Sequence, residues 1–176
     1  MEISTMKKIT SLISLLLLTA CQTHVQQTPV AEMTPLPKPA YSMPVAGGIE
    51  TLYVTPLQMP FQARMDTGAE TSSVDAKNIR PFERDGEKWI SFDIINRKNG
   101  EKHHFEKRIK RKTKIVRPEA SETRYTVNMN IKMGRELITA EFTLADREKF
   151  DYQVLIGRNI INGRFIIDPT TENTMH

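Results

Sequence analysis

From residue 49 onward the chain runs in short alternations of apolar and polar residues. In "KWISFDI" (88–94), Ile90, Phe92 and Ile94 share one face, and Ser91 and Asp93 share the other. "YTVNMNIKM" (125–133) sets Tyr125, Val127, Met129, Ile131 and Met133 against Thr126, Asn128, Asn130 and Lys132. After a Gly134-Arg135 turn, "LITAEFTL" turns Ile138, Ala140, Phe142 and Leu144 inward. A period of two is the mark of half-buried strands. "YQVLIG" (152–157) is a continuous apolar run, as in a strand covered on both faces. "RFIID" follows after a short turn or helical segment, and no stretch carries a long amphipathic helix. These patterns predict an all-β domain, a barrel by the spacing of its strands.

The N-terminal third reads differently. Met6-Lys7-Lys8 precedes the apolar "ITSLISLLLL", which is too short to span a bilayer comfortably. Leu18-Thr19-Ala20-Cys21 then has the form of a bacterial lipobox, with small residues before the thiol that would accept diacylglycerol. Residues 1–20 are expected to be a signal peptide and Cys21 the lipidated N-terminus. Gln22, rather than aspartate, follows the cysteine, and the resemblance to sorted bacterial lipoproteins implies the outer membrane, facing the periplasm. Residues 21–48 are rich in Pro, Thr and Gln and read as an extended tether. The expected domain covers 49–170, and 171–176 reads as a disordered tail.

With 176 residues the chain holds one ordinary domain and its attachments. The single cysteine excludes an intrachain disulfide and a Cys-based zinc site. The net charge of +4 is mild, but "KRIKRKTKIVR" (107–117) concentrates it. Such a run is either a solvated strand edge, where lysine discourages further pairing, or a patch for anionic lipid, glycan or polypeptide. Aromatic residues for base stacking are missing beside it, so nucleic acid is not an expected partner.

The chemistry centres on "MPFQARMDTGAETSS" (59–73). Phe61, Ala63 and Met65 alternate like a strand and deliver Asp66 to its end. Thr67 offers a hydroxyl, and Gly68 and Ala69 are small enough for another backbone to approach. An aspartate before a small-polar turn is also an ordinary Asx-turn. Some ninety residues later comes "VLIGRNII" (154–161).

The pairing of D-T-G-A with a later apolar-Gly-Arg-Asn run resembles the retropepsin-like aspartic peptidases. "DTGAETSSVDA", "KWISFDI", "RYTVNMNIKMG", "TLADREKFDYQVLIGRNII" and "IIDP" are similar to a bacterial branch long labelled as ATP-dependent zinc proteases. The resemblance implies a closed β-barrel with one short C-terminal helical turn. It also implies a catalytic Asp66-Thr67-Gly68, supported near a dimer interface by Ala69, Glu70, Gly157, Arg158 and Asn159, with Glu70 and Arg158 pairing. Aspartic peptidases use two carboxylates that share a proton across a water. Asp75, Asp85, Asp93, Asp146, Asp151 and Asp168 all lack a glycine two positions on, so a dyad calls for Asp66 from two copies of the chain.

The zinc and ATP of the old label find no ligand set. Of the four histidines, His24 is in the tether and His176 ends the chain. The neighbours His103 and His104 point to opposite faces of any strand that holds them. No cofactor and no metal are therefore expected. "INRKNGEKHH" (95–104) is either the flap over the substrate that the resemblance implies or merely a surface hairpin. The expected function is a lipid-anchored envelope aspartic endopeptidase, dimeric, acting on polypeptide. The competing reading is a non-catalytic module that binds peptides or envelope polymers.

Overall fold

The computed structural model describes residues 42–116 and 121–175. The expected signal peptide, Cys21 and most of the expected tether lie outside the described residues. Strands dominate: β1 (Val45–Val54), β2 (Phe61–Met65), β3 (Ser72–Asp75), β4 (Lys77–Arg84), β5 (Glu87–Ile95) and β6 (Lys102–Arg108) come first. They are followed by β7 (Arg111–Val116), β8 (Ser121–Met133), β9 (Glu136–Ala145), β10 (Val154–Ile156), α1 (Arg158–Ile161) and β11 (Ile166–Glu172).

Eight strands form one sheet in the order β11-β1-β2-β10-β3-β9-β8-β7. A further pairing, Leu52–Val54 of β1 with Ile131–Met133 of β8, closes six of them into a ring. β11 lies parallel to the first half of β1, and β7 is left as an edge strand. β4, β5 and β6 make a separate three-stranded sheet.

One apolar cluster joins the two sheets. Val127, Ile131 and Met133 of β8 are fully buried, as are Ile90, Phe92 and Ile94 of β5. Each such side chain contributes roughly 1.5–3 kcal/mol by leaving water. Phe92 stacks on Phe105 across the smaller sheet at 5.3 Å between centroids. The expected alternations therefore hold, with β10 in the covered central position that its apolar run implied. β10 runs parallel to β2 and antiparallel to β3.

Two polar positions depart from the alternation. Asp93, expected on the outer face, is 4% exposed, held by Asn78 Nδ2 at 2.7 Å, His104 Nδ1 at 2.7 Å and Lys102 Nζ at 3.2 Å. Thr126 is likewise buried, in the stretch of β8 that pairs with both β7 and β9.

Both expected domain limits also move. β1 begins at Val45, four residues inside the expected tether, because its glycines serve packing rather than flexibility. A Cβ on Gly47 would lie 2.5 Å from the Thr171 carbonyl oxygen. The expected disordered tail is strand as far as Glu172, and the residues beyond are pinned by a buried carboxylate. Glu50 Oε1 accepts hydrogen bonds from Gly47 N–H (2.6 Å), Thr174 N–H (3.0 Å) and the Thr174 hydroxyl (2.8 Å). Its Oε2 accepts one from Met175 N–H at 3.2 Å.

Candidate functional site

β2 alternates as the sequence predicts, burying Phe61, Ala63 and Met65 while Gln62 and Arg64 face outward. Its last residue aligns with Ile156 of β10, and the next N–H, that of Asp66, donates to Ile156 O at 2.8 Å. The chain then turns sharply. Asp66 Oδ1 accepts from Gly68 N–H at 2.9 Å and from Ala69 N–H at 3.1 Å, so one carboxylate oxygen is the acid of an Asx-type turn. The other makes no hydrogen bond among the described residues. Asp66 is half-buried, and Thr67 and Gly68 are exposed at the tip.

The second motif braces this loop from behind. Arg158 Nη1 donates to the carbonyls of Thr67 (3.1 Å) and Gly68 (2.8 Å), and its N–H donates to Ala69 O at 2.9 Å. Asn159 N–H reaches Glu70 O at 3.1 Å. Asn159 Oδ1 accepts from both the N–H and the hydroxyl of Ser72, each at 2.8 Å, and its Nδ2 donates to Glu141 O. Ser72 Oγ in turn accepts Gly157 N–H at 3.0 Å. The Gly-Arg-Asn segment thus supplies donors to a loop whose carbonyls have no strand partner.

The sequence-predicted residues Asp66, Thr67, Gly68, Ala69, Glu70, Gly157, Arg158 and Asn159 come together at one place. The expected Glu70–Arg158 ion pair does not form within the chain. The Arg158 guanidinium is spent on two loop carbonyls, and Glu70 meets the second motif through its backbone.

The candidate flap is misplaced. Residues 96–101 form the β5–β6 turn, and Asn96 Nδ2 binds Pro60 O at 3.2 Å, just before β2 begins. Glu101 accepts the N–H groups of Gln58 and Met59. Asp66 lies past the far end of β2, roughly 20 Å of extended chain away. The reason is Arg97, whose guanidinium ties the turn to Asp75 Oδ2 (2.7 Å) and to the carbonyls of Arg147 and Phe150. The histidines of β6 are engaged elsewhere. His104 holds Asp93, and His103 packs edge-on against Phe105 at 4.6 Å.

β7 and β8 flank the Asp66 loop instead. Arg111, Arg124 and Thr126 share a cavity of about 470 Å³ with Ala69, Glu70 and Thr71, and Arg147 also lines it. Arg147 is only 8% exposed. Its N–H donates to Asp75 Oδ1 (2.8 Å), its Nε to Tyr152 O (3.0 Å) and its Nη1 to Ser73 Oγ (3.0 Å). Burial pushes its guanidinium below the ordinary arginine range, Asp75 opposes this, and the charges of Arg97 and Arg124 add repulsion. Arg147 and Ser72 were not singled out by sequence reasoning. A serine next to a turn and an arginine just past a strand carry no periodic signal.

The model of the RimB-like family, described as "Retropepsin-like aspartic endopeptidase RimB", matches residues 45–176. A solved structure from Legionella pneumophila, of a protein of unknown function, has a TM-score of 0.64 at 28% identity, covering 76% of this chain and 98% of its own. Three curated relatives are each named "Probable alpha-L-glutamate ligase". That of Shewanella pealeana is 37% identical over 62% of this chain and 24% of its own length. Those of Desulfotalea psychrophila and Parasynechococcus marenigrum are 35% identical, over 63% and 71% of this chain and 25% and 28% of their own lengths. The chain thus spans about a quarter of these relatives. Their names overturn the expected activity: they are names of a ligase, not of an aspartic endopeptidase or any other hydrolase. What the fold, the braced Asp-Thr-Gly loop and the match over residues 45–176 establish is lineage, and the chain belongs to the RimB-like family of retropepsin-like proteins.

Proposed function

We propose that this domain is a receptor for glutamate-bearing polypeptide, working beside a glutamate-ligating activity. The observation that carries this reading is the comparison with the ligase-named relatives, whose shared quarter is a retropepsin-like fold. A domain kept next to a glutamate ligase has a chain rich in side-chain carboxylates at hand. The guanidiniums beside the Asp66 loop are of the charge that such a chain requires.

In this proposal the Asp66 loop is the wall along which the extended polypeptide lies. Retropepsin-like domains typically act as dimers, and pairing of two chains with their loops facing each other would make one continuous groove. Lipidation at Cys21 would hold that groove at a membrane surface of the cell envelope. Calorimetric titration of the full chain with hexa-L-glutamate tests the reading, with saturable binding expected and hexa-L-lysine as the negative control. Absence of saturable binding would sink it. So would cleavage of the hexaglutamate at a rate abolished by Asp66→Asn, which would make the domain a peptidase after all.

A further inference from the structure

Resting on that reading, we infer that the cavity between the Asp66 loop and β7–β8 receives a single glutamate side chain, whose carboxylate meets Arg147 at the floor and Arg111 and Arg124 at the rim. Three guanidiniums converge there with the hydroxyl-bearing Ser73, Thr126 and Thr143. Among the lining residues these three positive charges face one carboxylate, that of Glu70, and the excess favours a further carboxylate from a ligand.

The guanidiniums are unequally committed. Arg124 is held by Glu122 through Nε (3.1 Å) and Nη2 (3.2 Å), while Arg111 faces Glu141 only loosely at 3.9 Å. Arg147 Nη2 makes no hydrogen bond among the described residues. No buried side-chain nitrogen or oxygen among them lacks a partner, so this one is reached by solvent, and Arg147 is one of the residues that line the cavity. The guanidinium is fixed by Ser73, Tyr152 and the Phe150 ring, 4.8 Å beneath its carbon, so it is presented without loss of side-chain freedom on binding.

Access and reach define the ligand further. β7 is an edge strand, so the rim formed by Arg111 is open on one side to an extended chain. A floor group that is almost wholly buried favours the longer side chain: glutamate carries one methylene more than aspartate between backbone and carboxylate. The cavity volume of about 470 Å³ accommodates a side chain with its waters.

The test uses the full chain, hexa-L-glutamate and hexa-L-aspartate, with Kd measured by calorimetric titration. Arg111→Gln with Arg124→Gln is expected to weaken hexaglutamate binding by about tenfold or more. Arg108→Gln, which removes a charge on β6 outside the cavity, should change it less than twofold. Arg147→Lys keeps the charge but not the fork, and should erase the preference for glutamate over aspartate. If Arg147→Lys does not fold, judged by circular dichroism, the double rim variant decides alone. Wild-type binding that the rim variant weakens no more than Arg108→Gln overturns the cavity assignment, leaving the receptor reading in place. A wild type that binds neither peptide ends that reading itself.

Discussion

Gly157 passes so close to Thr71 that a Cβ on it would lie 2.8 Å from the Thr71 carbonyl carbon. The same methyl would stand 3.0 Å from the carbonyl oxygens of Ala69 and Thr71. The two halves of the site are thus held at backbone distance, and both contacts are with atoms that cannot rotate away. Gly157→Ala is expected to destabilise the fold by about 1–3 kcal/mol through overpacking. Urea unfolding of the variant should show this as a lowered midpoint at unchanged slope.

Asp66 has a structural task whatever else it does. Asp66→Asn keeps an oxygen for the N–H groups of Gly68 and Ala69, so it should fold as the parent does. Asp66→Ala loses that acceptor in a partly exposed turn and is expected to cost about 1 kcal/mol. Binding of hexaglutamate should survive the first substitution. Thermal melts and titration of both variants check the pair of outcomes.

Asp93 gives the fold an acid-sensitive point. The Asn78 amide, and after it His104, hold its pKa at about 2, below the ordinary value of 3.8. A carboxyl depressed by folding stabilises the native state above pH 3.8 and loses that contribution as pH falls toward 2. The urea midpoint should therefore decline over this window. Asp93→Asn, which cannot ionise, should flatten this part of the profile; an unchanged slope would show that the acid sensitivity lies elsewhere.

Glu50 is the acceptor for four donors and lies wholly inside the protein. Glu50→Ala leaves the amides of Gly47, Thr174 and Met175 without that partner, at about 1–3 kcal/mol for each donor that water cannot reach. Hydrogen exchange should quicken first at Thr174 and Met175, ahead of the strands of the ring.

Membrane attachment is tested at the other end of the chain. If Cys21 is the lipidated residue, Cys21→Ser should leave the full-length protein unprocessed or release it from the membrane fraction. Fractionation and gel mobility identical to the parent's would refute the lipobox reading.

The strands were legible because their cores are periodic: Val127, Met129, Ile131 and Met133 alternate with polar neighbours, and tertiary packing respected that period. The converging residues of the two motifs were legible through a resemblance, which carries spatial knowledge that periodicity lacks. What stayed hidden was long-range and polar. Asp93 is internal because Asn78, fifteen positions earlier, reaches it. The β5–β6 turn was a flap candidate only by its place between the two motifs, and nothing in the sequence shows that Arg97 fastens it to Asp75 and to two carbonyls. Gly47 and Gly48 were counted with the Pro/Thr/Gln-rich tether, since the sequence does not reveal that residues 169–172 would lie against them. The activity was misread for a different reason. A short acidic motif records descent, whereas the relatives' names come from proteins about four times the length of the shared segment.

The parallel pairing of Val45–Gly47 with Ile166–Asp168 sets the first and last strands of the domain side by side. Beyond β11 the Thr174 hydroxyl donates to Val45 O at 2.9 Å, so the exit also lies beside the entrance. A unit with such neighbouring ends can be spliced into a host polypeptide at one surface point, without stretching the host or cutting the ring. The same pairing delays maturation. β1 meets this partner only after about 120 further residues have been made, so in a nascent domain the first half of β1 stays uncovered on that side until the final strand arrives, although every strand of the ring has been made once β10 is complete.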